Sequence, residues 1–159
     1  MVFTEVERLR ASYRPEKIKI LFVGESAPAG GVFFYKGTGQ VHNEFQKILA
    51  PIIGRSPSFI KEFCDAGFYL DDLVLEPVNW LNASERKRLH NQNIASLAQR
   101  MSEYRPIAVV AFLKAIRLTV QEAAKRAGLT CPCHTVSFPG NGRQIEFRKE
   151  LNAILASLL

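Results

Sequence analysis

The stretch "KIKILFVGESAPAGG" covers residues 17–31. Its first half is a nearly continuous apolar run of Ile18, Ile20, Leu21, Phe22 and Val23. A strand buried on one face alternates apolar and polar residues, whereas an unbroken run suits a strand covered on both faces, as in a parallel sheet. The second half is rich in Gly, Ala and Pro, so the strand is expected to end where Gly24 opens a loop. Ligands of open parallel sheets bind beyond the carboxyl ends of the strands. That places a candidate site at this loop. Phe33, Phe34 and Tyr35 then follow where a loop is ordinarily polar.

Outward from this strand, helical and extended patterns alternate. A short helix is expected from Thr4 to Tyr13, with Thr4 as cap and Glu7 completing a capping box. Residues 42–53 carry Phe45, Ile48, Leu49 and Ile52 at helical spacing. "SPSFIKEFCDAG" predicts another short helix, with Ser56 as cap, Pro57 at its first position and Gly67 as stop. "FYLDDLVLEPV" predicts a second strand, interrupted by Asp71 and Asp72. A polar, basic helix over residues 84–104 follows, with Leu89, Ile94, Leu97 and Met101 as its buried stripe. "IAVVAFL" is a third strand and residues 114–127 a helix stopped by Gly128. "HTVSF" is a fourth strand, and "PGNGRQ" leads into a last helix with Asn141 as cap. The alternation predicts one α/β domain over residues 1–159, a three-layer α/β/α sandwich with a central four-stranded parallel sheet.

Composition narrows the class. The chain has 159 residues, 47% hydrophobic and 23% charged, as expected of an ordinary globular domain. No apolar run approaches the roughly 20 residues that cross a bilayer. "MVFTEVERLR" lacks the apolar centre of a secretion signal, so a cytoplasmic protein with no membrane partner is expected, a monomer by default. The formal net charge of +6 suits a polyanionic partner, because Lys and Arg release counterions from a phosphate backbone. Cys64, Cys131 and Cys133 are an odd count in a chain with no expected secretion signal, which argues against a disulfide framework. "CPC" beside His134 lacks the second ligand pair of a structural zinc site, so neither metal nor cofactor is expected.

The loops after the strands hold the chemistry. There is no G-x-G-x-x-G and no G-x-x-x-x-G-K, which argues against a dinucleotide fingerprint or a Walker motif. Glu25 either polarises a water or holds the loop by accepting backbone N–H groups. Phe33 and Phe34 either offer a ring for a base to stack on or belong to the core, with one in each role as the simplest compromise. Asp71 and Asp72 should point to opposite faces, and a buried carboxylate there needs donors or a raised pKa. Asn79 and Asn82 suit turn chemistry around a packed Trp80. Gly140, Asn141, Gly142 and Arg143 precede a helix N-terminus, a candidate phosphate site.

Together "GESAPAGGVFFY", "YLDDLVLEPVN" and "SFPGNGRQ" resemble, in order, the three motifs of the uracil-DNA glycosylase superfamily, over roughly residues 17–158. The resemblance implies a four-stranded parallel sheet between helices and hydrolysis of the N-glycosidic bond of a base flipped out of DNA. By that likeness Glu25 orients water, Phe34 or Phe33 stacks the base, Asp72 reads its edge and residues 140–143 meet phosphate. The chain departs from the pattern at three places. Ala27 intervenes before Pro28, Asp72 stands where the family has a base-reading Asn, and Phe138 where it has a His that stabilises the departing base. A carboxylate only accepts hydrogen bonds unless protonated, so the base is left open between uracil and another damaged base. Two other classes remain open: a non-catalytic nucleic-acid binder of the same fold, and a small-molecule enzyme that holds a nucleotide or nucleoside at the same strand ends. Basic residues gathered at the pocket mouth would favour nucleic acid over the last of these.

Overall fold

A computed structural model describes residues 3–159, and from residue 5 onward their side chains. Four strands form its sheet: β1 (Ile20–Gly24), β2 (Phe68–Asp72), β3 (Ala108–Ala111) and β4 (Cys133–Thr135). All neighbours pair in parallel, in the order β2-β1-β3-β4. The apolar run is the centre of this arrangement, since every residue of β1 is buried. Phe22 lies in β1 and packs against Phe45, Phe63 and Phe68 at centroid distances of 5.0–5.9 Å.

Helices cover both faces. Helix α1 (Phe3–Ser12) precedes β1. Helices α2 (Gln40–Ile53) and α3 (Phe59–Asp65) connect β1 to β2. Helices α4 (Ala83–Gln92) and α5 (Ile94–Tyr104) connect β2 to β3, α6 (Arg117–Arg126) connects β3 to β4, and α7 (Gln144–Leu158) ends the chain. Helix α2 contacts α3 and α7, whereas α5 contacts α6. The chain moves one way from β1 to β2 and the other way from β2 to β3 and β4, so right-handed crossovers put these two groups on opposite faces. The three-layer α/β/α architecture is therefore the one expected.

Several boundaries differ from those the sequence predicts. Helix α1 already includes Phe3, and the Thr4 cap lies outside the described side chains. Ser58, not Ser56, caps α3: its hydroxyl accepts the Lys61 N–H at 3.2 Å, while Pro57 stays outside the helix. The long basic helix is two helices, because Asn93 ends α4 and starts α5. Strand β2 stops at Asp72 rather than continuing to residue 78. Beyond it only Leu73 and Val74 still donate to Gly24 and Glu25. Residues 114–116 form a 3-10 turn before α6, and β4 is shorter than "HTVSF". Asn141 does not cap α7. It adopts φ 55, Gly142 follows with φ 80, and Arg143 stands at the cap position without a side-chain bond.

Tyr35 and Arg10 fasten the outer strand. The Tyr35 hydroxyl donates to the Leu70 carbonyl at 3.1 Å and accepts the Leu70 N–H at 2.7 Å. Arg10 donates from Nη1 to the same carbonyl at 3.0 Å. Among the described residues, no helix is long and apolar enough to cross a membrane.

Candidate functional site

A cavity of about 910 Å³ opens at the carboxyl ends of the strands. Glu25 reaches it from the end of β1, Asp72 from the end of β2, Phe112 from the end of β3, and Phe138 and Asn141 from beyond β4. This is the switch point, where chain direction reverses between β1 and β3. The chain approaches closely here because Gly24 has no side chain. A Cβ at that position would lie 2.5 Å from the Phe112 ring and 2.7 Å from Asp72 Oδ1. Gly24 thus leaves room for both Phe112 and Asp72 beneath the loop.

Glu25 does not act alone. Its Oε2 accepts a hydrogen bond from His90 Nε2 at 2.7 Å, and its Oε1 lies 3.6 Å from Arg86 Nη1. His90 and Arg86 both come from α4, and both line the cavity. Arg86 also donates to the Val78 and Asn79 carbonyls at 3.2 and 3.4 Å. The Ala29 N–H donates to Asn79 Oδ1 at 3.0 Å, which ties the glycine-rich loop to the segment after β2. Glu25 therefore holds the loop and faces the cavity at once, through side-chain partners rather than the backbone N–H groups expected.

Phe33 and Phe34 are both core residues and both part of the cavity wall, only 2% and 5% exposed. Phe34 packs edge-on against Phe45 and Phe63, and Phe33 lies under the Arg10 guanidinium at 5.2 Å. The expected division, one ring in the core and one in the pocket, is replaced by two rings that do both. Phe112 and Phe138 add further aromatic wall.

The paired aspartates are buried and heavily partnered. Asp71 Oδ2 accepts from Arg100 Nη1 at 2.6 Å and from the Tyr104 hydroxyl at 2.8 Å. Asp72 Oδ2 accepts from Arg10 Nη2 at 2.9 Å. Asp72 Oδ1 accepts no hydrogen bond among the described residues, and Asp72 is part of the cavity wall. Burial pushes the Asp72 carboxyl up to about 6, against the pull of Arg10. Proximity to a cation alone would have lowered it, but removing a carboxylate from water costs more here.

The candidate phosphate loop is divided. Asn141 lines the cavity; Gly140 is buried beneath Phe138 and Gln40, and Gly142 and Arg143 are exposed outside the cavity lining. Trp80 is not packed as expected but 71% exposed. Asn82 does perform turn chemistry, its Oδ1 accepting the Glu85 N–H at 2.8 Å at the start of α4. Phe138 adds a ring to the cavity wall, and His90 brings an imidazole to it from α4. The cysteines are free thiols, and burial pushes Cys133 up to about 11. Among the described residues no three His, Cys, Asp or Glu side chains gather as a metal site.

His90, Arg86 and Arg10 were not singled out as site residues by the sequence. One signal for His90 was available: its place on a helix that returns over the strand ends. Comparison with protein-family models gives no match, and comparison with curated proteins gives none either.

Proposed function

We propose that the cavity receives a base displaced from DNA and that the protein hydrolyses its N-glycosidic bond. The observation that carries this is the convergence of Glu25, held by His90, with Asp72 and an aromatic wall in one cavity at the strand ends. The volume suits a flipped nucleotide, because pockets for compact ligands span roughly 300–1,000 Å³. Arg86 and Lys87 in the lining favour a phosphate-bearing polymer over a neutral small molecule.

In this reaction Glu25 orients a water toward C1′ of the sugar. The oxygen of that water bonds to C1′ as the bond from C1′ to the base nitrogen breaks. The bonding pair leaves with the base, and the water proton passes to the Glu25 carboxylate. Phe33 or Phe34 stacks the base. The family's electrophile is replaced at Phe138 by a group that donates nothing. Asp72 takes over that task in its protonated form, donating from Oδ1 to an oxygen or nitrogen of the leaving base. A carboxyl raised to about 6 is protonated in part near neutrality, which removes the difficulty of an acceptor-only residue at this position.

The test is a single-turnover assay on oligonucleotides bearing uracil, hypoxanthine, xanthine or mismatches, with enzyme in excess. Release of one of these bases, lost in Glu25→Gln, is the expected result. No release from any of them overturns the catalytic proposal. Saturable binding without release would instead support the non-catalytic binder, the alternative that Phe138 favours.

A further inference from the structure

Trp80 is the only tryptophan of the chain and, at 71% exposure, the most exposed large apolar side chain among the described residues. It stands between cavity residues: Val78, Asn79 and Leu81 all line the pocket. The backbone that carries it is fastened on both sides. Asn79 Oδ1 accepts the Ala29 N–H, Arg86 donates to the Val78 and Asn79 carbonyls, and the Leu81 N–H donates to the Val78 carbonyl at 3.0 Å. The indole is therefore held out into water by a pinned loop, and it forgoes the stabilisation that burial would bring. A large flat apolar ring kept at the rim of a cavity calls for a flat apolar partner.

The surroundings specify that partner. Lys87 and Arg88, in the helix that follows, are exposed and make no salt bridge among the described residues; Arg143 at the start of α7 is likewise exposed and unpaired. Glu76 and Glu85 are the exposed acids of the Trp80 segment and Glu146 that of the first turn of α7, so the charges here are mixed, and Lys87, Arg88 and Arg143 are the cations left available to an anionic backbone. The other exposed apolar side chains at this end of the sheet are Val32 in the first loop, Leu118 in the first turn of α6 and Ile145 in the first turn of α7. A ring between cavity and cations matches a polymer with flat apolar units on an anionic backbone. Aromatic side chains stack on any base whose face is free. In a duplex both faces of each base are already covered, so a free face requires an unpaired strand.

We infer that Trp80 is a stacking platform for an unpaired nucleotide next to the one in the cavity, and that the polymer this surface takes is single-stranded DNA. The inference rests on the proposal that the cavity holds a base of DNA. It adds a second nucleotide position outside the pocket and a strand preference.

Because Trp80 is the single tryptophan, its emission reports on this site alone. The full chain is titrated with a short oligo-dT strand while tryptophan emission is followed. Anisotropy of the same strand carrying fluorescein is measured for the unaltered chain, Trp80→Phe and Trp80→Ala. The expected result is saturable quenching that tracks the anisotropy. Trp80→Ala, with an unchanged circular dichroism melt, should weaken binding by about 5- to 100-fold, and Trp80→Phe by much less. A blunt duplex should bind more weakly and leave the emission unchanged. Strand binding that neither quenches Trp80 nor suffers in Trp80→Ala overturns this inference alone. No binding of any oligonucleotide overturns the DNA proposal and this inference with it. A change of emission with protein concentration alone, matched by sedimentation as a dimer, overturns it in favour of a second copy on this surface.

Discussion

Two groups of charges stand at the carboxyl end of the sheet, and they differ in what water can reach. In the first, Arg10 and Arg100 hold Asp71 and Asp72, and of these four only Asp72 lines the cavity. In the second, His90 and Arg86 hold Glu25 at the cavity wall with its side chain part exposed. Both pair carboxylates with cations, yet their consequences diverge. A sealed charge that loses its partner has no solvent to turn to, so the first group governs stability. A part-exposed carboxylate can exchange its partner for water, so the second can change partners at little cost to the fold.

The largest test of this contrast is Arg10→Met. It strands the buried Asp72 carboxylate, while Asp71 keeps Arg100 and Tyr104, and should lower the unfolding free energy by about 3–5 kcal/mol, read from urea denaturation. A loss below about 1 kcal/mol would remove the sealed group from its structural role. The next test is pH. The Asp72 carboxyl titrates near 6 in the folded chain, against an ordinary 3.8. Its contribution to stability is fully present below that ordinary value and lost as the pH rises through about 6. The loss amounts to about 3 kcal/mol. Urea midpoints from about pH 4 to about pH 7 should show it, and Asp72→Asn should flatten that part of the curve. Base release that depends on protonated Asp72 should fall over the same range.

Glu25→Gln sharpens the comparison from the other side. Single-turnover base release should fall by about 10²–10⁴-fold, while the thermal midpoint moves by the equivalent of less than about 1 kcal/mol. His90→Ala should cost about ten-fold in the same assay, the worth of one hydrogen bond to a charged group, with His90→Gln losing less. The smallest effect is expected of Arg143→Ala. It should reduce the salt slope of oligonucleotide binding by about one and leave base release by bound enzyme unchanged.

Much of the fold is legible in local pattern. The unbroken run at Ile20–Val23 announces a strand covered on both faces, and the alternation of elements announces the parallel sheet. The sequence also points to Glu25, Phe33, Phe34 and Asp72 as candidates, and the fold brings all four to the wall of one cavity. What stays hidden is partnership at long range. Arg10 meets Asp72 across 62 residues and His90 meets Glu25 across 65. Before folding, Arg10 is one cation on a short amphipathic helix and His90 one polar residue in a basic one. Periodicity finds faces, but it does not find which carboxylate a distant cation will meet. Trp80 fails for the opposite reason: a tryptophan beside a strand end is packed by default, and only the pinned loop shows that this one is held outside.

One feature of the outer strand reaches beyond the site. An open sheet margin can recruit the margin of another molecule and grow into an aggregate. At the centre of β2 the Leu70 N–H and carbonyl are already engaged by the Tyr35 hydroxyl and Arg10. Tyr35 and Arg10 together thus also guard solubility, and loss of both would leave the chain prone to polymerise through β2.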